Sequence, residues 1–356
     1  MLLLCLFTLT VSCSKAENKP ASLNLQLNVA VQNDGSGRVD VTATANNADR
    51  YYFTFGKSDN EEGVRSTDGK ASVTYTSSGT YRIKVTAYGP ENTSAVATKD
   101  VEVVVAGSND GYTSADSYPG MKLVWKDDFS GTELNTTDWT FEIGNGVDGW
   151  GNAELQYYKK ENTSVKNGLL TITAKKEAFG GYQYTSSRIK TQNQKAFKYG
   201  RIDIRAKLPK GQGIWPALWM LGANIETVQW PFCGEIDIME LVGGGPGKDN
   251  TVYGTIHFDD NGTYANLSKP YALSNGDFSQ KFHVFSVLWD ESKITWFVDD
   301  VAFHTQDITS AARTEFHEPY FLLINLAVGG RWPGSPDATT VFPQQLMVDY
   351  VRVFQK

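Results

Sequence analysis

The sequence predicts an all-β protein made of two successive β-sandwiches. Three observations carry this. Short runs alternate apolar and polar residues with period two through most of the chain, which puts one face of each run in a core. Turn signals rich in Gly, Asn, Asp and Ser separate the runs, and long amphipathic helical windows are absent. All nine tryptophans lie between Trp125 and Trp332, so the first 120 residues are built differently from the rest.

The 356 residues suit two domains, and 40% hydrophobic with 21% charged is ordinary globular composition. The net charge of -7 comes with no basic stripe, which excludes a phosphate-tracking nucleic-acid binder and disfavours a polyanionic substrate. A neutral polysaccharide suits this surface.

Residues 1–13 read as an export signal. Met1–Val11 is apolar but too short to span a membrane. It lacks a charged leading region and ends at Val11-Ser12-Cys13, which resembles a lipoprotein processing site with Thr10 where Leu is usual. Cys13 is therefore the expected lipid attachment point; the alternative is a plain cleaved signal with an incidental cysteine. This places the protein outside the cell or on its surface. Cleavage and acylation would leave Cys233 alone among the three cysteines, so no disulfide framework is expected. Cys233 follows Trp230-Pro231-Phe232 and reads as a packed core thiol.

Residues 14–21 are polar and form a tether. Residues 22–106 carry about seven short strands, the rhythm of an immunoglobulin-like sandwich. Among them are Leu23–Val29, Val39–Ala43, Tyr51–Phe55, Ser72–Tyr75, Tyr81–Val85 and Val101–Val105. The stretch Val73–Tyr81 resembles the hairpin of polycystic-kidney-disease (PKD) repeats. A spacer that holds the rest off the membrane is the expected role, with carbohydrate binding the alternative. Residues 107–119, rich in Gly, Ser and Asp, read as a linker.

Residues 120–356 again read as strands: Leu169–Ala174, Tyr199–Ala206, Val252–Phe258, Phe282–Trp289, Ile294–Val298, Tyr320–Ala327 and Met347–Phe354. Two stacked antiparallel sheets of this size bury a large core and leave one face along which a polymer can lie.

The sharpest chemical signal is Gly234-Glu235-Ile236-Asp237-Ile238-Met239-Glu240-Leu241, three carboxylates in six residues of an otherwise apolar strand. Alternation puts Glu235 and Asp237 on one face, and strict alternation would bury Glu240 in the core, where a lone carboxylate is costly. One extra residue at Ile238-Met239, a β-bulge, returns Glu240 to the acid face. Hydrolysis of a glycosidic bond with retention needs two carboxyls about 5–5.5 Å apart, one to attack and one to protonate and then deprotonate. Asp237, between them, can orient the nucleophile and raise a neighbour's pKa. The competing readings are a surface acidic face and a calcium site.

This string, Glu-x-Asp-x-x-Glu, resembles the signature of glycoside hydrolase family 16 in its bulged, laminarinase-like form. Further segments over residues 120–356 resemble the same family: Gly213–Met220, Trp150–Tyr158, Asn325–Gly334 and Val348–Val353. The resemblance implies a concanavalin-like β-jelly-roll and a retaining mechanism, with Glu235 as nucleophile, Asp237 as helper and Glu240 as acid/base. It assigns Trp215, Trp219 and Trp230 to the sugar cleft, Trp332 to a cleft loop, and Asn152, Glu154, Arg188 and His257 to polar contacts with sugar. Aromatic planes suit the C–H face of a pyranose. Trp125, Trp139, Trp289 and Trp296 are read as core, and His283, His304 and His317 as structural. The family also implies one structural calcium away from the cleft, at Asp128, Gly168 and Asp349, and no catalytic cofactor.

The expected function is a secreted endo-β-1,3-glucanase acting on laminarin-like and mixed-linked 1,3-1,4-β-glucans. It is expected to be monomeric and to touch a membrane only through its lipid. The alternatives are a hydrolase of a marine galactan (agarase, porphyranase or carrageenase type), a non-catalytic glucan-binding protein, and a transglycosylase.

Overall fold

The computed structural model describes residues 23–32, 37–58, 61–75, 79–103, 105 and 110–356. The expected signal, Cys13 and the tether 14–21 lie outside the described residues.

The described chain forms two compact units, the larger holding Val103–Lys356. In the smaller unit, Gln26–Val31, Arg38–Thr44 and Lys70–Thr74 make a three-stranded sheet. Val64–Ser66, Arg50–Thr54, Gly79–Tyr88 and Ser94–Val103 make a four-stranded one. Alternation explains the burial: Val39, Val41 and Ala43 are buried from one strand, and Ile83, Val85 and Ala87 from another. The stretch Val73–Tyr81, expected as a hairpin, instead joins strands that belong to different sheets. Each of those strands buries apolar side chains, Val73 from one and Ile83, Val85 and Ala87 from the other.

The larger unit stacks two antiparallel sheets. One runs Thr163–Lys166, Leu169–Ala174, Gln344–Gln355, Gly200–Lys207, His283–Trp289, Lys293–Val298, Val301–Asp307, with Lys122–Asp127 also paired to Gln344–Gln355. The other runs Thr263–Ala272, Thr251–Asp260, Glu235–Leu241, Ile214–Gly222, Tyr320–Val328, Arg188–Lys190, Thr140–Glu142. The core lies between them, with Ile172, Ile202 and Ile204 from the first facing Leu218, Ile236 and Ile324 from the second. The expected core tryptophans Trp139, Trp289 and Trp296 are fully buried, and Trp125 packs against the same core. Among the described residues, Ile225–Val228 is the one α-helix.

The segment read as a linker behaves otherwise from Asp110 onward. Gly111 bridges to Phe282, Ser114 is buried with its N–H donating to Tyr350 Oη at 2.8 Å, and Tyr118 Oη donates to Asp203 at 2.8 Å. It covers a polar face of the strand Gly200–Lys207, where Arg201 pairs with Asp203 at 2.7 Å and Arg205 with Asp349 at 2.8 Å. Buried charges persist only with partners of this kind. A truncation that starts at residue 120 is therefore expected to melt roughly 5–10 °C below one that starts at residue 110. Calorimetry of the two chains checks this; equal melting temperatures would return the segment to the status of a linker.

Candidate active site

The strand Glu235–Leu241 carries the predicted bulge. Against one neighbour Leu218 pairs with Met239 and Trp219 with Asp237; against the other, Thr255 pairs with Asp237 and Tyr253 with Glu240. Both ladders skip one residue, and Ile238 is the extra one. Ile236, Ile238, Met239 and Leu241 consequently all enter the core, while Glu235, Asp237 and Glu240 line one cavity. A bulge interrupts the ladder, and buried carbonyls need donors. Trp296, from the opposite sheet, supplies one: its Nε1 donates to the Asp237 carbonyl at 2.7 Å.

The indole reaches that carbonyl because residue 254 has no side chain. A Cβ on Gly254 would lie 2.5 Å from Trp296 Cδ1. Gly254→Ala is expected to displace Trp296, cost about 1–3 kcal/mol of stability and lower kcat. Chemical denaturation and initial rates test it; wild-type values for both would show that the indole contact does not hold the bulge.

The cavity has a volume of about 590 Å³. Every residue expected to touch sugar lines it: Trp215, Trp219, Trp230, Trp332, Asn152, Glu154, Arg188 and His257. Trp215 Nε1 donates to Glu240 Oε1 at 3.1 Å, and Trp230 Nε1 donates to Glu235 Oε2 at 2.8 Å. Two tryptophans thus orient the two carboxylates. Trp332 packs edge-on against Trp215, with ring centroids 5.8 Å apart, and stays about half exposed.

The acids share a charge problem. Burial and the neighbouring Asp237 push Glu235 up to about 8. The same two causes hold Glu240 well above the usual carboxylate range. His257 Nε2 sits 3.1 Å from Asp237 Oδ2. Burial opposes its charge, but the Asp237 carboxylate outweighs that and pushes the imidazole up to about 11, so His257 is an imidazolium at neutral pH. Glu235, Asp237 and His257 bring their polar atoms within 4.8 Å of one another. A cation already occupies that group in the form of His257, so its chemistry is that of an acid/base cluster.

Arg188 and Glu154, both expected to contact sugar, line the cleft and also have protein partners. Arg188 is buried, ion-paired with Glu142, and sandwiched between Trp150 and Trp219 at 4.6 and 4.8 Å from its guanidinium carbon to each ring centroid. Glu154 is buried and accepts from Gln156 Nε2 at 2.6 Å, Asn152 Nδ2 at 3.2 Å and Tyr158 Oη at 3.2 Å. Tyr158 in turn accepts from Asn325 Nδ2 at 3.2 Å, and Asn325 Oδ1 accepts from Trp219 at 2.7 Å. Both charged residues therefore brace the Trp219 wall of the cleft. Asn325 and Trp150 stood in the segments singled out, but nothing in their spacing showed this bracing. Glu142 and Tyr264 were missed altogether. Tyr264 follows His257 across an Asp260-Asn261-Gly262 turn, a hairpin signal that would have found it.

Cys233 is fully buried, and burial pushes its thiol up to about 11, consistent with a packing role. His283 pairs with Asp299, His304 packs on Trp296, and His317 meets Tyr199, all as structural residues.

The calcium candidates meet at one edge. Leu170 pairs with Val348 and Asp127 with Val351, which brings Gly168 and Asp128 beside Asp349. The Asp128 charge is felt at Asp349, and the Oδ1 of neighbouring Asn167 is a buried acceptor without a hydrogen-bond partner. Carboxylates, a backbone carbonyl and an orphan amide oxygen form a donor set that fits a hard cation. Lys126 and Arg205 already pair with Asp128 and Asp349.

Comparison with known proteins places the chain in a family. Residues 152–352 match glycosyl hydrolases family 16. The chain is 40% identical over 240 residues to the clotting factor G alpha subunit of Tachypleus tridentatus, covering 67% of this chain and 34% of that protein. The chain thus spans about a third of that relative's length. It is 37% identical over 272 residues to a beta-glucanase of Rhodothermus marinus, covering 72% of this chain and 92% of that one. Among solved structures, the laminarinase catalytic domain of Thermotoga maritima is similar with a TM-score of 0.61 and 47% identity, over 66% of this chain and 98% of that one. The match across residues 152–352, with a relative covered over nearly its whole length, establishes that this chain belongs to family 16 of the glycosyl hydrolases.

Proposed function

We propose that this chain is a retaining endo-β-glucanase that cuts 1,3-β-glucan and mixed-linked 1,3-1,4-β-glucan by double displacement. The observation that carries the reading is the bulge at Ile238, which turns Glu240 into the same Trp-lined cleft as Glu235 and Asp237. Glu235 attacks the anomeric carbon as Glu240 protonates the departing oxygen. Glu240 then takes a proton from water, which releases the sugar from Glu235 with net retention. Asp237, tied to His257, holds Glu235 in place and keeps Glu240 protonated in the resting cleft.

The substrate class follows from the lining. Arg188 and His257 are the cations there, and both are neutralised by Glu142 and Asp237. No cation among the described lining residues is left for a sulfated galactan, whereas the tryptophan faces suit uncharged glucosyl rings. An open cleft admits an internal stretch of polymer. Laminarin, barley β-glucan, lichenan, agarose and κ-carrageenan incubated with the protein should give short oligosaccharides from the first three. Cutting of a galactan with laminarin left intact would overturn the substrate class. Binding of glucan with no cleavage would overturn the activity.

The same reading keeps the chain outside a bacterial cell, held by a lipid on Cys13, with the smaller unit as a spacer. It also keeps a calcium at Asp128, Gly168 and Asp349, where the ion would tie three separate segments together and take no part in the reaction. Removal of calcium with EGTA should lower the melting temperature by several degrees, since a ligand at 100 times its Kd stabilises by about 2.7 kcal/mol. Activity at 25 °C should be unchanged. An unaltered melting temperature would remove the ion from the reading.

A further inference from the structure

His257 and Tyr264 stand on the two strands of one hairpin. Thr251–Asp260 and Thr263–Ala272 are joined by Asn261-Gly262, with φ of 54° and 86°, the tight connection whose twist matches that of the strands. Asp259 pairs with Tyr264 and His257 with Asn266. Residues two apart share a face, so Tyr264 lies diagonally across from His257 on the cleft side, within reach of large rings. The two rings stack at 11° with centroids 5.8 Å apart, and Tyr264 Oη is 2.7 Å from His257 Nδ1. The Trp230 ring lies 5.0 Å from that of Tyr264 and 6.4 Å from that of His257. Tyr264 is 46% exposed and lines the catalytic cavity.

Hydrogen-bond counting then decides where the phenol hydrogen points. A tyrosine hydroxyl has one hydrogen and two acceptor positions. The titratable groups facing His257 are Glu235, Asp237, Glu240 and Tyr264, and none of them can carry a positive charge. The Asp237 carboxylate, 3.1 Å from Nε2 in an ion pair, keeps the ring an imidazolium, which can only donate, so Nδ1–H points to Tyr264 Oη. Asn266 Nδ2 donates to the same oxygen at 3.2 Å. Both acceptor positions of the phenol are occupied, and its single hydrogen is turned away from them.

We propose that Tyr264 is a substrate-binding residue whose O–H, aimed by His257 and Asn266, donates to a glucan hydroxyl seated beside Glu235. The Trp230–Tyr264 ring pair is the apolar surface against which that sugar lies. The assignment deepens the endo-glucanase reading and rests on it.

Tyr264→Phe keeps the ring and deletes only the donor. It should raise the KM for laminarin and lower kcat/KM about tenfold, with the melting temperature unchanged. Asn266→Asp gives the phenol hydrogen a carboxylate to bond instead of sugar, so it should weaken binding similarly, and the double variant should be little worse than either alone. Nitrogen-15 NMR of the wild-type imidazole at pH 7 should show both His257 nitrogens protonated. Unchanged laminarin kinetics in Tyr264→Phe would overturn the assignment. Protonation of His257 at Nε2 alone would do so as well, because the phenol would then donate to Nδ1. Failure of the wild type itself to cut laminarin would overturn the parent reading, which separates the two failures.

Discussion

Glu235→Ala is expected to lose at least about 10⁴-fold in kcat on laminarin while folding normally. Glu235 holds its place through Trp230 and its neighbours, and its carboxylate packs no core, so stability should change little. Chemical rescue makes the role specific. With a dinitrophenyl β-glucoside oligomer as donor, the leaving group departs without acid help. Azide can then enter the space vacated by the carboxylate and displace the phenolate from the opposite face. The product should be the α-glycosyl azide, with one inversion, and its rate should rise with azide concentration. A β-glycosyl azide from this variant would mean that Glu235 is the acid/base and that the two roles are exchanged.

The second large effect concerns Glu240. Glu240→Ala should lower the rate on laminarin by roughly 10²–10⁴-fold and far less on the dinitrophenyl donor, whose leaving group needs no proton. Rescue with azide should here give the β-glycosyl azide, after two inversions. The pH profile adds a check of sign. Activity needs Glu235 ionised and Glu240 protonated, and burial with Asp237 raises both groups. Both limbs of the bell for kcat/KM should therefore lie above the ordinary carboxylate range. Glu240→Gln should erase the basic limb. Asp237→Asn removes the second-largest cause at each glutamate, so it should move both limbs toward acid as well as reduce kcat. An unmoved profile in Asp237→Asn would show that Asp237 does not set the charge state of the pair.

Much of the site was legible because its chemistry is local in sequence. The three acids lie on one strand, and period-two alternation, broken by one bulge, is enough to count which side each must face. The tryptophans of Gly213–Met220 lie on the adjacent strand, so they follow the same alternation into the same cleft. The residues that were missed or placed differently depend on distant segments. That Arg188 is held by Glu142, Trp150 and Trp219, which come from three other places, could not be read from its own strand. The segment 107–119 has linker composition, yet from Asp110 onward the backbone carbonyls of Asp110 and Tyr112 accept from Arg205 and the Tyr118 hydroxyl donates to Asp203. The Val73–Tyr81 stretch has hairpin composition, yet its strands part into different sheets, because turn composition constrains backbone angles and leaves open which edge the next strand joins.

The residues alone were enough to settle an all-β architecture in two units and the acid strand with its bulge, since these rest on spacing along a chain whose strand geometry is regular, while the family was legible through the resemblance of its motifs. Tertiary structure decided what spacing does not encode. It decided that Trp215 and Trp230 each donate to one carboxylate, that Trp296 crosses the core to satisfy the bulge, and that His257 bears a charge between Asp237 and Tyr264. The Trp215, Trp296 and Asp237–His257 contacts join separate strands, and beside buried carboxylates a few ångströms set the charge state of a group.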